Sequence, residues 1–132
     1  MASKTFITAV GRRKTAIANV RMVRAPKSSL MVNGKSAKDY FKTDLRALIA
    51  EEALAKAESA DNYQVMAQVE GGGIAAQADA LRHAISRAIV KAEPKTRAVL
   101  KAAKFLKRDP RAKERKKPGL VKARKAKQWS KR

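Results

Sequence analysis

Cysteine is absent from the chain, histidine occurs once, and eleven acidic residues face thirty-two lysines and arginines. Without cysteine there is no disulfide, no thiolate metal site and no cysteine nucleophile, which fits a reducing compartment. A lone His83 excludes any cluster of several imidazoles around a metal. Aromatic residues make up only 5%, and 26 of the 59 hydrophobic residues are alanine. The core must therefore be small and closely packed, enough for one sheet with helices against it. No apolar run reaches the ~18 residues that span a bilayer. The first residues, Met1 to Phe6, lack the apolar centre of a secretory signal, and an organelle transit peptide is not expected either. The expectation is a cytoplasmic protein with no membrane partner.

What the chain has in excess is positive charge, +21 over 132 residues. A compact domain carrying that charge repels itself, so an anionic partner is implied. Residues 1–96 hold a net +7 and residues 97–132 a net +14. The charge divides the chain into a moderately basic body, residues 1–106, and a strongly basic tail, residues 107–132.

Alternation predicts strands over 5–10, 16–24 and 63–70, with a short one at Leu30-Met31-Val32 followed by an Asn33-Gly34 hairpin turn. Gly11-Arg12-Arg13-Lys14 is expected to be the turn joining the first two strands. Leu45, Leu48 and Ile49 suggest a helix over 43–58. Ile74, Ala78, Leu81, Ile85, Ala88 and Ile89 form the apolar stripe of a second, with Arg82, Arg87 and Lys91 on a basic flank. A third, short helix follows Pro94, with Val99, Leu100, Ala103 and Leu106 inward. From Lys107 onward 13 of 26 residues are cationic, while Pro110, Pro118 and Gly119 interrupt any helix. Alone, such a segment buries too little to offset its ordering entropy. It reads as an extended arm.

Two sites with the chemistry of phosphate contact stand out. The tail cations release condensed counterions when they neutralise phosphates, which makes binding steeply salt-dependent. Arg12, Arg13 and Lys14 offer a second cluster, which is also compatible with an ordinary exposed turn. Trp129 is suited either to stacking on a base or to packing in a protein groove. The sequence Gly71-Gly72-Gly73-Ile74-Ala75-Ala76 formally satisfies a dinucleotide fingerprint, with Glu93 about twenty residues on. However, Glu93 precedes a proline and another helix rather than ending a parallel strand. No nucleophile, base and orienting group come together. The chain is read as a non-enzyme with no cofactor, no metal and no small-molecule substrate.

Three blocks then carry a resemblance. Gly11-Arg12-Arg13-Lys14-Thr15-Ala16-Ile17-Ala18 is the first. Gly71-Gly72-Gly73-Ile74, Gln77-Ala78 and Ala80-Leu81-Arg82-His83 through Arg87-Ala88 form the second. The third runs through Arg108-Asp109-Pro110-Arg111, Glu114-Arg115-Lys116-Lys117, Ala123-Arg124-Lys125, Gln128 and Ser130-Lys131-Arg132. In order and spacing, from about Thr5 to the end, the chain resembles the family of small-subunit ribosomal protein nine of bacteria. Ala76, Asp79, Ala84 and Ala103 stand where glycine or another small residue is usual, Lys107 where threonine is, and Trp129 where phenylalanine or tyrosine is.

The resemblance implies an α+β two-layer sandwich: a four-stranded, mainly antiparallel sheet with helices on one face and an extended basic C-terminal tail. It also implies a place in the head of the small ribosomal subunit, on the 3′ major domain of the rRNA, beside neighbouring head proteins. Arg12, Arg13, Lys14, Arg82, Arg87, Arg108, Arg111, Arg115, Lys116, Lys117, Arg124 and Lys125 would hold rRNA. Ser130, Lys131 and Arg132 would approach the anticodon stem-loop of tRNA in the peptidyl site. The rival reading is a DNA-compacting architectural protein with the same charge, although no wedge residue or dimer seam is evident. A membrane-active peptide lacks its amphipathic stripe in the tail.

Overall fold

The computed structural model describes residues 5–130. Five strands form one sheet in the order β1-β2-β5-β3-β4. They are β1 (Ile7–Arg13), β2 (Ala16–Ala25), β3 (Ser29–Val32), β4 (Lys35–Ser36) and β5 (Asn62–Glu70). All pairs are antiparallel except β3 with β5. The sheet therefore has one strand more than the four expected. The addition is only two residues long and follows from the predicted hairpin, because Asn33 and Gly34 both hold positive φ (50° and 81°). That conformation closes a two-residue turn and brings Lys35 back beside Val32.

Helices cover one face. They are α1 (Ala37–Phe41), α2 (Asp44–Lys56), α3 (Ile74–Ala92) and α4 (Arg97–Ala102), the last entered through a 3-10 turn at Pro94–Thr96. The covered face buries Ala16, Ala18, Val20 and Met22 of β2 and Tyr63, Val65, Ala67 and Val69 of β5. Their alternates Asn19, Arg21, Met66 and Gln68 are exposed, which is the period-two pattern of a one-sided sheet. All but the first residue of the predicted α3 stripe are buried; Ile74 is exposed at the helix start.

One expectation is corrected. The first strand does not turn at Gly11 but runs on to Arg13, and the reversal falls at Lys14 and Thr15, with Lys14 at φ 53°. Gly11 serves another purpose. A Cβ on it would lie 2.1 Å from the Ala80 carbonyl oxygen and 2.5 Å from the Ala84 backbone nitrogen, so only glycine lets α3 lie this close to β1. In α2 the inward stripe is Ala47, Ala50 and Ala53, while Leu45 and Leu48 are 68% and 62% exposed. Small side chains therefore fill the inner side of α2, where it packs against the core.

The connection to the tail is also built, not merely left over. After α4, Lys104 adopts φ 66° and the Phe105 amide donates back to the Leu100 carbonyl (3.1 Å), closing the helix in a Schellman-like turn. The reversal throws Phe105 onto the helical layer, where it is buried.

Candidate nucleic-acid interface

The cations proposed from sequence separate into two kinds once their neighbours are known. Arg13, the last residue of β1, faces the helical side as Gly11 does. Its Nε lies 3.1 Å from Asp79 of α3, and its Nη1 lies 2.7 Å from Asp109 of the tail. Asp109 also accepts from the Arg111 side chain (2.7 Å) and backbone amide (3.0 Å). These bonds, those from Arg111 first and the charge of Arg13 after them, hold the Asp109 carboxyl far below its ordinary range. Arg82 reaches Glu52 at 3.0 Å and Asp79 at 3.5 Å, and its guanidinium lies 4.8 Å from the centroid of the Phe105 ring. Lys56 lies 5.5 Å from the same centroid. Each such cation–ring contact contributes about 0.5–1 kcal/mol.

His83 completes the junction. Its Nδ1 sits 3.1 Å from the Phe105 carbonyl, an oxygen that can only accept, so the ring is protonated at Nδ1 there. Burial holds its pKa below the usual histidine value against the opposing pull of this bond, and the charges of Arg87 and Arg108 push the same way as burial. Together Arg13, Asp79, Arg82, His83, Phe105 and Asp109 form a clasp between body and tail. They line a groove of about 430 Å³ whose rim adds Arg12, Lys104, Lys107, Arg108 and Arg111.

Arg87 and Lys91 have a different task. Their side chains donate to the Val10 and Thr8 carbonyls (2.5 and 2.7 Å) on the outer edge of β1. A sheet edge otherwise presents unpaired carbonyls to any passing strand, and a cationic cover discourages that pairing. Arg12, opposite Ile17 on the uncovered sheet face, and Lys14 in the turn are exposed.

Beyond the clasp the tail contains one closed loop. Leu120 bridges Ala126, the Val121 amide donates to the Lys125 carbonyl at 2.8 Å, and Gly119 turns the chain at φ 82°. Glu114 holds the loop's two sides, with Lys117 Nζ on one carboxylate oxygen at 2.5 Å and Arg124 Nε on the other at 2.9 Å. Arg108, Arg115, Lys116, Lys125 and Ser130 are exposed, and Trp129 is 81% exposed. Lys131 and Arg132 lie outside the described residues.

The dinucleotide fingerprint is accounted for structurally. Gly71 and Gly72 hold positive φ in the turn from β5 to α3, and a Cβ on Gly71 would lie 2.5 Å from the Thr15 carbonyl oxygen. Glu93, the acid about twenty residues beyond those glycines, accepts from Tyr63 Oη (2.6 Å) and Ser59 Oγ (2.7 Å), which lower its pKa. Among the described residues no three acids or histidines converge as metal ligands, and no helix is long and apolar enough to cross a membrane.

A family profile described as Ribosomal protein S9/S16 matches residues 11–132, from the Gly11 contact with α3 through the clasp to the end of the tail. The chain belongs to the ribosomal protein S9/S16 family. Membership gives it a structural role in the ribonucleoprotein that carries out translation. Its partners are therefore rRNA and other ribosomal proteins, in a family that is generally non-enzymatic.

The carboxylates are what sequence reasoning missed. Asp79, Asp109 and Glu114 each organise two cations, and in a tail of thirteen cations the presence of only two acids was the available signal.

Proposed function

We propose that this chain is the bacterial small-subunit member of the family, bound in the cytoplasmic ribosome to the 3′ major domain of rRNA in the subunit head. Residues 1–106 act as the body, and residues 107–132 act as an RNA-binding tail. Ser130, Lys131 and Arg132 reach the anticodon stem-loop of peptidyl-site tRNA. The observation that carries this reading is an imbalance of charge. All eleven lysines and arginines between 107 and 130 are exposed, and only Arg111, Lys117 and Arg124 are paired with a carboxylate of the tail. Eight cations remain for phosphates, and each phosphate neutralised releases counterions.

Within that reading the candidate residues divide by task. Arg12, Lys14, Arg108, Arg115, Lys116 and Lys125 make direct phosphate contacts. Arg13 and Arg82 set the direction in which the tail leaves, Arg111 supports Asp109, and Lys117 and Arg124 shape the Glu114 loop. Arg87 reaches rRNA only where the β1 edge does.

Truncation after Leu106 is the deciding experiment, because Leu100 and Phe105, the last buried residues, stay in place. Full-length and truncated proteins are titrated with a head rRNA fragment and with duplex DNA across a salt series. RNA preference is expected, with the slope of log K against log salt falling by roughly 5 on truncation. Small subunits reconstituted with the truncated chain should also hold peptidyl-site tRNA less tightly. Equal affinity for the two nucleic acids would instead favour a DNA-compacting role.

A further inference from the structure

We propose that the outer face of α2 docks a neighbouring ribosomal protein through a lysine- or arginine-bearing segment, and does not face RNA. The proposal rests on the ribosomal placement above. Leu45 and Leu48 are exposed on a helix whose inward stripe is complete without them, since Ala47, Ala50 and Ala53 are all buried. They are not strays of an unfinished core. Exposed leucines grouped on one face mark a surface that another molecule covers.

The sign of charge identifies the kind of molecule. At 100° per residue, Asp44, Leu48, Glu51 and Ala55 fall on one narrow stripe of α2. Beside it runs a groove of about 320 Å³ between α2 and the start of β3, lined by Ser28, Ser29, Leu30, Glu51, Leu54 and Ala55. The other carboxylates of α2 are already neutralised, Asp44 by Lys38 and Glu52 by Lys56 and Arg82. Among the described residues no cation lies against Glu51. An unpaired carboxylate at the rim of a groove whose apolar wall is Leu30, Leu54 and Ala55 repels an RNA phosphate and attracts a cation. Of the two partner classes that family membership supplies, only protein brings one. The aliphatic stem of a lysine or arginine fits along Leu48, Leu54 and Ala55, and its charged head then meets Glu51.

The test places a photo-crosslinking benzoylphenylalanine at position 48 of the full chain, in small subunits reconstituted from rRNA and the remaining subunit proteins. A second preparation carries the same group at position 129. The expected product at 48 survives nuclease, is destroyed by protease, and maps to a lysine- or arginine-containing peptide of another ribosomal protein. Glu51→Lys should lower its yield about tenfold, the effect of ~1.4 kcal/mol. Because Glu51 is exposed and unpaired, this change leaves the fold alone. An RNA adduct at 48, an adduct to a second copy of the chain, no adduct, or a yield indifferent to Glu51→Lys would overturn the proposal. Position 129 reports separately on the tail. A missing RNA adduct there counts against the proposed function, and the surface at α2 still stands or falls by its own adduct.

Discussion

Body and tail use the same residue types for opposite purposes. In the body, cations near the helical layer are committed to the fold: Arg13 to two carboxylates, Arg82 to two carboxylates and a ring, Arg87 and Lys91 to the carbonyls of an edge strand. In the tail the ratio inverts, and each of the two acids gathers two cations while eight others have no ion pair within the described residues. Removing one of these committed body cations disturbs architecture, whereas removing one of the eight unpaired tail cations should disturb only what the tail binds. Stability and RNA affinity are therefore expected to be separable properties of one short chain.

The sharpest way to break that separation is at Gly11. Gly11→Ala drives a Cβ into backbone atoms of α3, which cannot rotate away as a side chain would. The expected loss is about 3 kcal/mol or more, read from the urea midpoint. Lys116→Ala should stay within about 0.5 kcal/mol of the parent in the same measurement, yet lower the salt slope of RNA binding by roughly 0.7–0.9. A tail substitution that cost as much stability as the glycine would show the two regions to be one folding unit.

How far these properties were legible in the sequence depends on side-chain size. β2, β5 and α3 follow large apolar residues at clean periods of two and 3.6, so their spans and buried faces were readable. α2 was placed correctly as a helix, but its inward alanine stripe was not readable, since Leu45 and Leu48 outweigh alanines in any hydrophobic pattern. Which face of α2 packs inward is a tertiary fact. Gly11 was read as a turn residue because glycine is common in turns, while its reason here is a helix from 69 residues further along the chain. α1, five residues long, follows the hairpin without a pattern of its own. At the candidate site the cations were visible, but their division into committed and unpaired was not. That division depends on Asp79 and Asp109, which come together only when β1, α3 and the tail root meet.

Next in expected effect is the clasp itself. Asp109→Asn removes the charge that Arg13 and Arg111 share, and should free the tail root without unfolding the body. Limited trypsin digestion should then cut at Lys107, Arg108 and Arg111 several-fold faster, with the urea midpoint nearly unchanged. The wild-type carboxyl is held far below its ordinary pKa of 3.8, so the clasp is complete above that value. It is lost only as the pH falls well below it. Equal digestion rates in the two proteins at neutral pH would mean that Arg13 and Asp109 do not fix the root.

The smallest effect belongs to His83, and it is also the most selective. Its folded pKa lies below the ordinary 6.5, so the unfolded chain takes up a proton first as the pH falls. Stability is therefore undiminished above about pH 6.5 and declines below it, with a slope of at most ~1.4 kcal/mol per pH unit, until the folded form is protonated as well. The groups facing the ring sharpen this sign: Arg87 and Arg108 repel an imidazolium, and the Phe105 carbonyl alone favours it. With one histidine and no cysteine, no other side chain of ordinary pKa changes charge between about pH 5.5 and 7. The depressed Glu93 carboxylate titrates lower still, so its contribution does not enter this window. His83→Gln keeps a donor within reach of the Phe105 carbonyl but has nothing to titrate. Urea midpoints at pH 7.5, 6.5 and 5.5 should fall for the parent and stay level for the variant. A parent as stable at pH 5.5 as at 7.5 would place His83 outside the clasp, leaving Arg13, Arg82 and Phe105 to tie tail to body.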